Sequence, residues 1–152
     1  MRNILILAFS LGLVCPEGAI AEKLRSAQMW VDGPVNAEIV RVLDGDTVEV
    51  NAFPWPQQSV TVKVRLRGID APEIHSRCEA EKARGLAAKQ KLADLLNERT
   101  SVKLINISGG KYFGRILADL RLEDGTDASR EMLKAGFVQP YEGGKRAKAK
   151  CP

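Results

Sequence analysis

A run near the middle of the chain alternates strictly between apolar and polar side chains. The apolar members are Val60, Val62, Val64 and Leu66, and the polar members are Thr61, Lys63, Arg65 and Arg67. Because successive side chains of a β-strand point to opposite faces, this run predicts a strand with one face in a core and a cationic outer face. Such a strand needs partners along its edges, so the pattern favours a sheet or a barrel.

Two further strands and a tight turn are predicted before this run. Strand-like runs over 39–43 and over 47–50 flank the dipeptide Asp44-Gly45. This dipeptide between two such runs is a strong signal for a β-hairpin, because both residues tolerate the backbone angles of a tight turn. The prolines and aromatic rings over 53–58 predict a rigid connection into the next strand, with the rings covering one barrel end.

Helical spacing follows over 78–97, carried by Ala80, Ala83, Ala87, Ala88, Leu92 and Leu95. Strand-like runs return over 102–107 and 116–122, and a short helix is expected to start at Asp127 and end at Gly136. The order is three strands, a helix, two strands and a helix. It predicts an α+β, mainly β fold: a five-stranded closed barrel with a helix after the third strand and a short C-terminal helix.

The side-chain inventory limits the chemistry that the chain can perform. Charged residues make up 28% of the chain and no repeating period is visible, which argues for one soluble globular domain and against a disordered, membrane-embedded or solenoid protein. His75 is the one histidine. A zinc site with several histidines and a two-histidine acid/base pair are therefore excluded, and any hydrolytic chemistry must use carboxylates and basic residues.

The N-terminus resembles a secretory signal peptide over residues 1–21. Arg2 precedes an apolar run over 4–15, and small residues follow at Ala19 and Ala21. The run is too short to span a bilayer. We expect cleavage before Glu22 and export to a periplasm or the extracellular space, with no membrane attachment afterwards. A buried N-terminal helix and a lipidated Cys15 are the alternatives.

Removal of that segment would leave two cysteines, Cys78 and Cys151. An even pair in an exported protein predicts a disulfide, and two free thiols are the alternative. The bond would close a loop worth roughly 4 kcal/mol in the chain-entropy model.

Five polar residues are candidates for a functional site. Asp46 follows the hairpin turn, Arg65 lies on the polar face of the third strand, and Asp70 and Glu73 lie in the turn that leaves this strand. Arg115 opens the last strand. Taken singly, each also has an ordinary explanation as turn chemistry, a solvated carboxylate or a surface charge.

Together, these segments resemble the thermonuclease (staphylococcal nuclease-like) family over roughly residues 36–142. The matching motifs are Asp44-Gly45-Asp46-Thr47, Val64-Arg65-Leu66, Gly68-Ile69-Asp70-Ala71-Pro72-Glu73 and Phe113-Gly114-Arg115. The resemblance implies an OB-fold barrel and a calcium-dependent phosphodiesterase that cuts DNA and RNA and leaves 3′-phosphate ends. Many members of the family have, where this chain has Phe113, a tyrosine whose hydroxyl can reach a phosphate, and Phe113 has no hydroxyl for this hydrogen bond.

The same resemblance assigns roles to individual residues. Asp46 and Asp70 would be the calcium carboxylates, with the Ala71 carbonyl as a further ligand. The implied phosphate-binding and water-activating residues are Arg65, Arg115 and Glu73, of which the last orients or deprotonates the attacking water. Calcium prefers oxygen ligands, and planar guanidinium groups suit the charge that builds on a phosphate during attack.

Two other functions compete with this interpretation. An OB-fold module that binds single-stranded nucleic acid without cutting it would not need the acidic residues. An exported barrel that binds a protein or a sugar would leave them unexplained.

Residues 22–35 are interpreted as a lead segment and 143–152 as a basic tail that is either solvated or in contact with nucleic acid. We expect a monomer.

Overall fold

The computed structural model describes residues 30–96, 101–110, 112–144 and 151. The predicted signal peptide over 1–21 and most of the basic tail over 143–152 lie outside the described residues. No helix in the described ranges has the length and apolar character that crossing a membrane requires.

Eight strands and two helices make up the described part of the chain. The strands are β1 (Trp30–Val31), β2 (Val35–Asp44), β3 (Thr47–Trp55), β4 (Gln58–Leu66), β5 (Ile69–Asp70), β6 (Ser101–Gly109), β7 (Arg115–Leu122) and β8 (Gln139–Pro140). The helices are α1 (Glu79–Leu96), after the β5 turn, and α2 (Ala128–Lys134), after β7.

The five long strands close into a barrel. β2, β3 and β4 pair antiparallel in sequence order, β4 pairs parallel with β7, and β6 closes the barrel by pairing antiparallel with both β7 and β2. β1 adds to the edge of β6, while β5 and β8 form a separate two-stranded ladder. The five-stranded OB-fold barrel with a helix after its third long strand is therefore confirmed. Closure leaves the long strands without an open edge.

Aliphatic side chains of the barrel strands and the two helices fill the core. The fully buried members include Val48, Val50, Val64, Leu66, Leu92, Leu104, Leu120, Leu122 and Met132. The predicted alternation of the third strand holds only in its second half, because Val64 and Leu66 are buried while Val60 is 49% exposed. Val60 lies where the β3–β4 hairpin extends past the end of the barrel.

The interpretation of 53–58 as a cover for the barrel end is wrong. These residues form the tip of the β3–β4 hairpin, where Trp55 pairs with Gln58. The side chains of Phe53 and Trp55 are 40% and 63% exposed. Two prolines stiffen this tip, but its rings project from the barrel instead of closing it.

Helix α1 is present where the spacing predicted it, and the predicted Ala88 and Leu92 are buried, but its first half packs through Gly85 instead of the predicted alanines. Its buried residues are Gly85, Ala88, Leu92 and Leu96, whereas Ala80, Ala83 and Ala87 face solvent. The reason is a close approach that only small residues allow. A Cβ on Gly45, in the β2–β3 turn, would lie 2.6 Å from the Cβ of Ala88. The helix therefore rests directly on the turn that precedes Asp46.

The second helix begins and ends close to the predicted limits. Asp127 caps α2 by accepting a hydrogen bond from the backbone N–H of Arg130 at 3.0 Å. Gly136 follows the end of the helix with a φ of 75°.

A disulfide joins Cys78, just before α1, to Cys151, with the two Cα atoms 5.7 Å apart. It ties the C-terminal end to the loop before α1.

Gly85 gives a test of the packing between α1 and the loop over 72–74. Glycine to alanine at an exposed helix position adds about 1 kcal/mol of stability. At Gly85, however, a Cβ would lie 2.7 Å from the Pro72 carbonyl oxygen and 3.0 Å from the Glu73 carbonyl carbon. We expect Gly85→Ala to lower the free energy of unfolding in urea by roughly 1 to 3 kcal/mol through overpacking.

The matched control lies on the exposed side of the same helix. Ala87→Gly should lower the free energy of unfolding by about 1 kcal/mol, because an exposed helix position ordinarily favours alanine over glycine. An increase in the stability of Gly85→Ala would contradict the close packing described here.

Candidate active site

Asp46 is the buried centre of the site. It lies in the turn between β2 and β3, and its side chain is 1% exposed. Oδ1 accepts hydrogen bonds from the Thr47 hydroxyl at 2.9 Å and from Nη1 of Arg65, and Oδ2 accepts from the backbone N–H of Ala71 at 2.6 Å. The carboxylate therefore links the start of β3, the end of β4 and the turn after β5.

Arg65 bridges the two aspartates that the sequence singled out. Its Nη2 donates to Oδ1 of Asp70 at 2.6 Å and to the Ile69 carbonyl at 3.4 Å, while Nη1 contacts Asp46. The side chain of Arg65 is 13% exposed and that of Asp70 is 21% exposed. Both carboxylates thus bind the guanidinium group of Arg65 in a partly dehydrated environment. Charge-assisted hydrogen bonds are strong in such an environment.

The C-terminal segment of the domain fixes the position of Asp70. Asp70 pairs with Gln139 in the β5–β8 ladder, and the Tyr141 N–H donates to the Gly68 carbonyl at 2.9 Å. The short ladder joins the turn after β4 to the segment that follows α2. The position of Asp70 therefore depends on contacts nearly seventy residues away in sequence.

Burial controls the protonation of Asp46. The pKa of this carboxyl is raised to about 7, first by burial and then by the neighbouring Asp44 side chain, whereas Arg65 and the Ala71 N–H lower it. A buried carboxylate favours any arrangement that brings positive charge closer. The site therefore suits a cation in addition to Arg65.

Glu73 lies at the edge of the same cleft on an exposed stretch of chain. Its main chain packs against Gly85 of α1, as the short distances at that glycine describe. Packing against helix α1 therefore fixes the position of the Glu73 backbone relative to the cleft. His75, two residues on, is exposed and is not among the residues that line the cleft.

Arg115 enters the cleft from the strand that pairs with β4. Its guanidinium carbon lies 4.8 Å from the centre of the Tyr112 ring. Its Nε is buried, and no residue that the structure describes accepts a hydrogen bond from it. A buried donor without an acceptor costs roughly 1 to 3 kcal/mol, so this arrangement favours a ligand that brings an oxygen.

One open cleft of about 1030 Å³ unites these groups. Of the residues predicted from the sequence, those that line it are Asp46, Arg65, Ala71, Glu73 and Arg115. Asp70 reaches the site through its hydrogen bond with Arg65. The structure thus brings all six together, while Cys78 and Cys151 lie outside this lining.

Sequence reasoning missed three participants. Asp44 lines the cleft and its Oδ1 accepts a hydrogen bond from the Asp46 N–H at 3.1 Å, and the Thr47 hydroxyl holds the Asp46 carboxylate. Both residues stand in the Asp44-Gly45-Asp46-Thr47 motif, so the signal was present but was assigned to the turn. Tyr112, whose ring lies against Arg115, could be interpreted from the sequence only as an aromatic residue able to stack on a base.

The donor set fits a hard cation held by few protein groups. Among the described residues, no cluster of three or more His, Cys, Asp or Glu side chains is arranged to hold a metal ion. Two converging carboxylates remain, at Asp46 and Asp70, with backbone oxygens nearby. Calcium accepts such a set when water and substrate oxygens complete its six to eight ligands.

The chain belongs to the staphylococcal nuclease family. The sequence model described as staphylococcal nuclease homologue matches residues 63–150, more than half of the chain. The matched range includes Arg65, Asp70, Glu73 and Arg115. Asp46 precedes it.

Two curated relatives extend the comparison. A micrococcal nuclease of Shigella flexneri is 32% identical over 123 residues, which cover 76% of this chain and 63% of the relative. An uncharacterised endonuclease of Escherichia coli is 30% identical over 111 residues, which cover 71% of this chain and 62% of the relative. The chain therefore spans somewhat less than two thirds of the length of these relatives.

Removal of the bridging arginine tests the electrostatics of the site in calcium-free buffer. Arg65→Met leaves the Asp46 carboxylate buried without its ion-pair partner, and we expect the free energy of unfolding to fall by roughly 3 kcal/mol. The matched control is Arg41→Met. Arg41 also pairs with a carboxylate, that of Glu49, at 2.7 Å, but its side chain is 63% exposed. Its replacement should leave the urea midpoint nearly unchanged. Equal effects of the two substitutions would contradict the buried bridge.

Proposed function

We propose that this protein is a calcium-dependent nuclease that hydrolyses phosphodiester bonds of DNA and RNA and leaves 3′-phosphate ends. The observation that carries the proposal is the convergence of Asp46 and Asp70 on Arg65 at a cleft that Arg115 also lines, with a buried Nε that has no acceptor among the described residues. The names of the two curated relatives support the same class of reaction.

Asp46 and Asp70 would hold the calcium ion, with the Ala71 carbonyl as a third protein ligand. When bound, the ion supplies positive charge that offsets the negative charge developing on the phosphate oxygens. Asp46 suits this role because its carboxylate is buried and already oriented by Thr47 and the Ala71 N–H. Preorganised oxygens need no rearrangement to receive a cation.

The two arginines would bind the scissile phosphate. Arg65 has five N–H donors and uses its two terminal nitrogens for Asp46, Asp70 and the Ile69 carbonyl. It therefore keeps N–H groups for a phosphate oxygen while its carboxylate contacts hold it in place. Arg115 contributes the buried Nε. Two planar guanidinium groups suit a trigonal bipyramidal arrangement of oxygens better than lysines would.

Glu73 would act on the attacking water, either by accepting its proton or by orienting it. It lines the cleft and is exposed, so water reaches it. Its loop packs closely on Gly85, which restricts its movement. Proton acceptance requires a carboxylate, and a carboxylate also accepts a hydrogen bond from water more strongly than an amide oxygen does.

A calcium titration tests the proposal. We expect cleavage of single-stranded DNA, duplex DNA and RNA by the parent protein only when calcium is present. Asp46→Asn should weaken calcium binding, and Glu73→Gln should keep calcium binding but slow cleavage by roughly 10²- to 10⁴-fold. Calcium affinity is measured by calorimetry and cleavage by product release. The end groups are read by the sensitivity of the products to phosphatase.

The matched control for Glu73→Gln is Glu79→Gln, at the exposed start of α1, where the side chain is 83% exposed. It should retain the parent rate. Calcium-independent nucleic-acid binding without cleavage by the parent would reject the nuclease and favour a binding module of the same fold. In that case neutralising Asp46 would strengthen binding by removing repulsion between the carboxylate and phosphate.

We further propose that residues 1–21 direct export, with removal before Glu22, and that the mature monomer works in a periplasm or the extracellular space. The Cys78–Cys151 disulfide supports this, because such bonds persist in oxidising compartments. The intact mass of the exported protein should correspond to residues 22–152, with no thiol alkylated before reduction. A retained N-terminal segment would contradict export by this route.

A further inference from the structure

The turn that carries Arg115 is held tightly by its own backbone. The Gly110 N–H donates to the Arg115 carbonyl at 3.0 Å, and the Arg115 N–H donates to the Tyr112 carbonyl at 3.2 Å. Gly110 has no room for a Cβ, because that atom would meet the Arg115 carbonyl oxygen. Gly114 has a φ of 79°, which favours glycine. The backbone thus presents Arg115 from a fixed position.

The side chain of Arg115 lies against the ring of Tyr112. The guanidinium carbon lies 4.8 Å from the Tyr112 ring centre. A guanidinium group can stack through its flat face while its N–H donors point outward in its own plane. Contact with the Tyr112 ring therefore restricts the orientations in which Arg115 can donate hydrogen bonds.

The neighbouring aromatic residue has no such contact. Phe113 is fully exposed, whereas Tyr112 is 57% exposed and lines the cleft together with Arg115. Of the two adjacent rings, the one at position 112 is therefore in place to act on the site.

We propose that Tyr112 is a positioning residue that holds the Arg115 guanidinium, through ring stacking, in the plane needed to bind the reacting phosphate. The proposal rests on the proposed nuclease function and assigns this chain a group that its site motifs do not include. The ring performs the task and the hydroxyl does not. Tyr112 acts on the substrate only through Arg115. Its replacement should therefore slow the step in which charge develops on the phosphate.

Kinetics of four variants on a defined single-stranded oligonucleotide test this role. Tyr112→Leu should lower kcat about tenfold or more with KM within twofold, because the arginine keeps its charge but loses its orientation. Tyr112→Phe and Tyr112→Trp retain a ring and should keep kcat within about twofold. Phe113→Leu is the matched control, since it removes the adjacent exposed ring, and should equal the parent.

Each other outcome overturns the inference. Equal losses in Tyr112→Phe and Tyr112→Leu would assign the effect to the hydroxyl, and a change in KM alone would assign it to direct substrate binding. Parent-like activity of Tyr112→Leu would show that Arg115 needs no support. Urea midpoints exclude misfolding as the cause of a loss, and if the leucine variant fails to fold, a loss of kcat in the folded tryptophan variant contradicts the proposal. A parent that cleaves nothing at any calcium concentration rejects the proposed function instead.

Discussion

The buried carboxylate of Asp46 is the interaction on which the rest of the site depends. A single side chain, 1% exposed, accepts hydrogen bonds from Thr47 on β3, Arg65 on β4 and the Ala71 N–H in the following turn. An ionised group in such a position is costly unless it is surrounded by donors. The same contacts that satisfy Asp46 therefore hold the hairpin turn, the end of β4 and the loop toward Glu73 in one arrangement.

Much of the barrel could be predicted from the sequence because burial leaves a periodic pattern. Alternation indicated β4, the Asp44-Gly45 turn indicated its hairpin neighbours, and regular spacing indicated α1. The packed face of α1 was predicted correctly only in its second half, at Ala88 and Leu92. Its first half depends on Gly45 and Gly85, where the missing side chains let the helix approach the β2–β3 turn and the loop over 72–74. A glycine records no hydrophobic signal, so alanines that are exposed were predicted to pack there instead.

In the candidate site, too, short motifs identify the residues, whereas contacts between distant parts of the chain set their geometry. The motif residues around Asp46, Asp70 and Arg115 stand close in sequence to recognisable turns, and the family resemblance named them. Their mutual geometry depends on pairings that no short motif contains. Asp70 is set by its ladder with Gln139, and Arg65 is set by both carboxylates at once. The Tyr112 ring beside Arg115 likewise follows from the shape of a turn rather than from a pattern of residue types.

The balance of charge in the cleft explains why a site of this composition would need a divalent cation. When ionised, the carboxylates at the cleft outnumber its guanidinium groups by two; the carboxylates are those of Asp44, Asp46, Asp70, Glu73 and Glu142, and the guanidinium groups are those of Arg65, Arg67 and Arg115. A phosphodiester is itself an anion, so the cleft with its protein charges alone would repel it. Two added positive charges offset this excess, so the net charge of the cleft no longer repels a phosphate. The aspartates proposed to bind the cation would thus also be the groups that make substrate binding depend on it.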